Sequence, residues 1–78
     1  MNNTGASLGR GSKKALAETL QNLAELLDVA SRHDAAEEQE RATGFTDRAE
    51  THRARAKALR LAVTSSMREI AQVMRGTT

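Results

Sequence analysis

The sequence predicts an all-α fold, in which an antiparallel two-helix hairpin dimerises into a four-helix bundle. The 78-residue chain contains no proline and is rich in alanine, so helix is favoured almost throughout. Apolar residues recur at alternating spacings of four and three in two separate stretches, which is the pattern of paired helices. Because a glycine, Gly44, separates the two stretches, the chain is expected to reverse there.

The first helix is expected to span about residues 12–41. Residues 1–11 are rich in Gly, Asn and Ser and have no periodicity, so they are predicted to form a flexible N-terminal tail. Ser12 is the predicted N-cap, since a serine hydroxyl accepts a hydrogen bond from a free N–H group of the first turn. The expected seam of this helix consists of Leu16, Leu20, Leu23, Leu27 and Ala30, and it becomes polar at Asp34 and Glu37.

The second helix is expected to span about residues 46–74, after a turn over residues 42–46. Thr46 is the predicted N-cap, and Asp47 in the first turn suits the positive end of the helix dipole. The hairpin therefore covers residues 12–75, and residues 76–78 form a short C-terminal tail. The seam of the second helix consists of Phe45, Ala49, Ala56, Leu59, Val63, Ile70 and Val73.

Two polar pairs are expected across the seam when the chain folds at Gly44. Arg48 should meet Glu40 on the flank of the hairpin, because flanking positions of paired helices are usually charged and matched. Asp34 should face His52, where a hydrogen bond would fix the register of the two helices.

Apolar residues outside the seam indicate that the hairpin associates further. Leu26 and Val29 form a second stripe on the first helix, while Met67 and Met74 widen the stripe on the second. Burying a leucine or methionine side chain contributes roughly 1.5–3 kcal/mol, so these four residues favour docking. The predicted dimer or partner interface contains Leu16, Leu20, Leu23, Leu26, Leu27, Val29, Leu59, Val63, Met67, Ile70 and Met74.

Charge is unevenly distributed, although the formal net charge is only +2. Residues 12–44 carry four basic and seven acidic groups, whereas residues 45–78 carry seven basic and three acidic groups. Arg53, Lys57 and Arg60 share one face of the second helix, and Arg55 lies on the other flank. This spacing is compatible with contacts to RNA or DNA phosphates. It is equally compatible with flank charges that are solvated or paired between helices, which is the commoner arrangement.

No catalytic motif is present, so the sequence does not predict an enzyme, a cofactor or a small-molecule substrate. His33 and Glu37 lie one turn apart and could hold a metal with His52, but a polar layer is the favoured interpretation. The chain has no cysteine, no apolar leader and no apolar run of membrane-spanning length, which together favour a cytoplasmic protein. The expected function is that of a non-enzymatic interaction module, such as a regulator, inhibitor or chaperone-like adaptor. The alternative is a nucleic-acid-binding accessory protein.

Overall fold

The computed structural model describes residues 13–76, which form two α-helices packed against each other as a hairpin. Helix α1 is Lys13–Ala42 and helix α2 is Thr46–Gly76, so residues 43–45 alone connect them. The all-α hairpin prediction is confirmed. The molecule is an elongated rod with extents of 61 × 18 × 14 Å. The expected tail over residues 1–11 and the Ser12 cap lie outside the described residues.

The turn ends α1 with a Schellman motif. The N–H of Phe45 donates to the carbonyl of Glu40 at 2.8 Å, and the N–H of Gly44 donates to the carbonyl of Arg41 at 3.2 Å. Gly44 has a φ of +88°, the left-handed conformation that the sequence predicted for it. The hydroxyl of Thr43 donates to the carbonyls of Gln39 and Glu40 in the last turn of α1, in addition to the backbone N–H groups that these carbonyls accept.

The start of α2 differs by one position from the prediction. The carbonyl of Phe45 accepts the first helical hydrogen bond, from Ala49 at 3.0 Å, so Phe45 rather than Thr46 occupies the N-cap position. Asp47 lies in the first turn, where a carboxylate suits the helix dipole. The guanidinium of Arg48 lies over the Phe45 ring, 4.6 Å from its centroid, and covers this partly exposed aromatic side chain.

The seam of α2 follows the expected three-four rhythm. Its buried or half-buried members are Ala49, His52, Ala56, Leu59, Val63, Ser66 and Ile70. Phe45 and Val73, which were expected at its two ends, are 49% and 66% exposed. The alanines lie in the half near the turn, so the two backbones can approach closely there, while larger side chains fill the other half.

The seam of α1 is rotated relative to the expected one. Its buried or half-buried members are Leu16, Leu23, Leu26, Ala30, His33, Glu37 and Glu40. Leu20, Leu27 and Asp34 were expected in the seam and are instead exposed on one of its flanks. Because α1 is rotated, the Asp34 carboxylate remains exposed. Burial would be unfavourable there, since an unpaired charge loses its hydration when it is buried.

Of the two polar pairs expected across the seam, one is present. Arg48 Nη1 lies 3.7 Å from Glu40 Oε2, so that ion pair is confirmed. The Asp34–His52 pair is wrong, because the rotation of α1 brings His33 to His52 and leaves Asp34 facing Arg60.

Neither α1 nor α2 contains an apolar stretch of the length needed to cross a lipid bilayer.

Candidate protein-interaction surface

An apolar groove runs along one flank of the hairpin, in the half distant from the turn. It is lined by Leu20, Leu23, Ala24, Leu27, Arg60, Val63, Thr64 and Met67. Leu20, Leu27 and Met67 are between 42% and 48% exposed, so the hairpin alone does not cover them. The small side chains of Ala24 and Thr64 lie between these large ones and leave room for another helix to approach.

The groove exists because of the rotation of α1. Leu23 and Val63 are buried in the seam and form the floor, whereas Leu20 and Leu27 are displaced onto one wall. Met67 of α2 forms part of the opposite wall. Apolar side chains of α1 and α2 therefore face the same solvent channel, which favours a contiguous docking surface over scattered exposed residues.

The remaining residues of the predicted interface divide into two groups. Leu16, Leu26, Leu59 and Ile70 are half-buried in the seam, so they mainly hold the hairpin together. Val29 and Met74 are exposed, but they are not among the residues that line the apolar groove. The structure therefore narrows the candidate docking surface to the groove and its margins.

A charged groove continues the same flank towards the turn. Its lining residues are Asp34, Glu37, Arg53, Lys57, Arg60, Leu61 and Thr64. Arg60 and Thr64 line both grooves, so the apolar and charged grooves form one continuous strip. Of the four basic residues predicted to contact nucleic acid, Arg53, Lys57 and Arg60 lie here, whereas Arg55 does not line either groove.

Arg60 is held by an ion pair across the charged groove. Its guanidinium donates two hydrogen bonds to the Asp34 carboxylate, one of them from Nη1 to Oδ1 at 3.2 Å. These hydrogen bonds lower the pKa of Asp34 below its ordinary value and raise the pKa of Arg60 above its own. Both side chains remain solvent-exposed, so the pair fixes side-chain geometry more than it stabilises the fold.

A second charge cluster ties the helices together beside the turn. Arg41 donates to Glu37 at 2.9 Å and to Glu50 at 3.0 Å, so one guanidinium bridges α1 and α2. Both hydrogen bonds raise the pKa of Arg41. Sequence reasoning did not predict this bridge. A signal for it is present in the sequence, because Arg41 lies one turn before the glycine that ends α1 and Glu50 lies one turn into α2.

Arg53, Lys57 and Arg55 are exposed and form no salt bridge within residues 13–76. Glu38 on α1 is also exposed and has no ionic partner in that part of the chain. The groove flank thus carries two of these free basic groups, Arg53 and Lys57, on α2. Glu38 lies one turn after Asp34 on α1 and therefore shares that flank by helical spacing.

The two histidines meet across the seam, and neither of them lines a groove. Nδ1 of His33 and Nδ1 of His52 are 2.8 Å apart, and their rings are tilted by 36°. A hydrogen bond at this distance needs one nitrogen to donate and the other to accept. Among the described residues, no three His, Cys, Asp or Glu side chains are grouped so that they could hold a metal ion.

Comparison of the chain with family models, with curated proteins and with solved structures gives no significant match of any of the three kinds.

Proposed function

We propose that this chain is a non-enzymatic interaction module that acts by helix-face docking, first of all on a second copy of itself. The apolar groove is the observation that carries the proposal. Its three large side chains are nearly half exposed in the hairpin, and covering each contributes a substantial part of the roughly 1.5–3 kcal/mol for full burial. A second hairpin would cover them and give the four-helix bundle expected from the sequence.

Such a module suits a regulator, an inhibitor or a chaperone-like adaptor, since each works by covering or presenting a helix face. In this proposal, groove contacts supply affinity, while charges along the same flank select the partner and its register. The cytoplasmic setting expected from the sequence belongs to the same proposal.

Solution mass tests the proposal. Sedimentation equilibrium at moderate salt should give a dimer for the native chain, and Leu27→Gln should shift the mass towards the monomer. Val73→Gln is the matched control, because Val73 is 66% exposed and lines neither groove. Equal dissociation of the dimer by both variants would argue against the groove, and a native monomer at all concentrations would refute self-association.

The second candidate function is binding of RNA or DNA phosphates. The observation in its favour is that Arg53 and Lys57 are exposed side by side, with no salt bridge in residues 13–76. The ion pair of Arg60 with Asp34 weakens this reading, because it neutralises the third member of the predicted basic face.

A salt titration separates the two functions. Phosphate binding releases counterions, so the logarithm of its affinity should fall linearly with the logarithm of salt concentration, whereas groove docking should change little. Replacing Arg53 and Lys57 together with Gln should reduce the slope for duplex DNA by about two. Arg68→Gln is the matched control, since Arg68 is exposed on α2 and lines neither groove.

A further inference from the structure

We propose that the second copy docks about a two-fold axis parallel to the hairpin, so that α1 of each copy packs against α2 of the other. This inference rests on the proposed self-association and adds the geometry of the dimer. It is carried by charges on the groove flank that the single hairpin leaves unpaired, namely Glu38 on α1 and Arg53 and Lys57 on α2.

The ion pairs within the hairpin show how far charged side chains reach along the rod. Asp34 meets Arg60, and Arg41 meets Glu50. Glu38 lies between Asp34 and Arg41 on α1, so a pair of the same reach joins it to the part of α2 between Glu50 and Arg60. Arg53 and Lys57 lie in that part of α2.

A two-fold axis parallel to the rod preserves these positions along the rod in the partner. It turns the groove flank of one hairpin onto the groove flank of the other and brings each α1 beside the partner's α2. Glu38 of one copy then lies within the same reach of Arg53 of the second copy, and symmetry repeats this pair. Glu38 and Arg53 thereby each gain an opposite charge, which favours this arrangement over one that leaves both in solvent.

The apolar half of the strip fits the same arrangement. The two apolar grooves overlap along their full length, so that Leu20 and Leu27 of α1 face Met67 on α2 of the second copy. Ala24 and Thr64 lie between the large side chains and allow the helices to approach. Charged pairs near the turn and apolar contacts in the other half would then be formed together, with no shift along the rod.

A two-fold axis perpendicular to the rod, through the apolar groove, gives poorer electrostatics. It would also cover the apolar side chains, but it would lay each α1 over the partner's α1 and each α2 over the partner's α2. The turns of the two copies would then lie at opposite ends of the assembly, so Glu38 of one copy would be far from Arg53 and Lys57 of the other. These charges would stay unpaired, so the charge distribution selects the parallel axis.

Charge reversal tests the arrangement. Glu38→Arg and Arg53→Glu should each weaken the dimer by roughly tenfold, because an attraction becomes a repulsion at two symmetric places. The double variant should restore native affinity, since each new arginine faces a new glutamate on the other copy. The dissociation constants come from sedimentation at constant salt, with the helix content of each variant checked by circular dichroism.

Disulfide trapping gives a second readout, which the absence of native cysteine makes clean. An oxidised mixture of Glu38→Cys and Arg53→Cys chains should yield the mixed disulfide as its main covalent dimer. Two results would overturn the parallel axis but not the self-association. One is a dimer whose affinity is unchanged by charge reversal, and the other is disulfide formation only between chains that carry the same cysteine substitution. A native chain that stays monomeric would instead overturn the self-association on which this inference rests.

Discussion

At the scale of single residues, the turn depends on one backbone conformation. Gly44 has a φ of +88°, and a Cβ atom added there would meet nothing within 4 Å. Any cost of substitution at this position therefore arises from the backbone conformation itself and not from crowding.

Gly44→Ala should destabilise the hairpin by about 1–2 kcal/mol, the cost of holding an L-residue in the left-handed region. Urea unfolding at fixed protein concentration measures the change. Gly76→Ala is the matched control, because Gly76 has no positive φ and is equally uncrowded. A similar loss in both variants would show that the left-handed conformation is not the cause.

The pair of Asp34 with Arg60 makes a second prediction at the residue scale. Since hydrogen bonds from Arg60 lower the pKa of Asp34 below 3.8, the pair stabilises the folded state above that pH. The stabilisation is lost as the pH falls through the lowered pKa of the folded state.

Native protein should therefore lose more stability than Asp34→Asn when the pH is lowered from 6 to about 2. The effect is small because both side chains are exposed and solvent screens them. Urea unfolding at the two pH values measures it, and Arg60→Gln should remove the same pH dependence. A native–variant difference that is the same at both pH values would contradict the assignment.

At the scale of the two helices, alanines set how closely α1 and α2 approach near the turn. Ala30 and Ala49 are fully buried and Ala56 is 1% exposed, although the hairpin buries few larger side chains. Backbone proximity at these alanines also accounts for the direct contact between His33 and His52, which lie beside them in the seam.

Ala56→Leu should destabilise the hairpin by about 1–3 kcal/mol, because three added carbons have no space between the closely packed helices. Thermal or urea unfolding measures this. Ala58→Leu, an identical change at an exposed position two residues further along α2, should alter stability by less than about 0.5 kcal/mol. If Ala56→Leu were equally neutral, the buried alanines would not determine how closely the two helices approach.

At the scale of the whole molecule, a rod 61 Å long and only 14–18 Å thick has little interior. The buried apolar residues described are two on α1 and three on α2, and three of the five are alanines. Small chains with so little core usually depend on disulfides, metals or association for stability. Stability and self-association are therefore expected to be linked in this protein.

The thermal midpoint of the native chain should rise with protein concentration, because dimerisation stabilises the folded state by mass action. Circular dichroism melts over a hundredfold concentration range measure the shift. Leu27→Gln should show a lower and concentration-independent midpoint, whereas Val73→Gln should behave like the native chain. A native midpoint that stays constant would mean that the hairpin is stable without a partner.

The sequence by itself determined the two helices, the turn between them and the central part of the seam of α2, from Ala49 to Ile70, but not its two ends. Helix propensity, the apolar rhythm and the left-handed preference of glycine are local properties, so residues such as Gly44 and Val63 could be assigned without a partner in view. The Glu40–Arg48 pair was also predictable, because it lies next to the turn, where the register of two antiparallel helices varies least.

Only the tertiary structure decided which face of α1 enters the seam. Leu16, Leu23 and Ala30 fit a seam that continues on either side, through Leu20 and Leu27 or through Leu26 and His33, since leucines occur on both. The choice depends on α2, which pairs with Asp34 through Arg60 and contacts His33 through His52. The apolar groove follows from that choice, and residues distant in sequence set it, so no local pattern in α1 alone could have placed it.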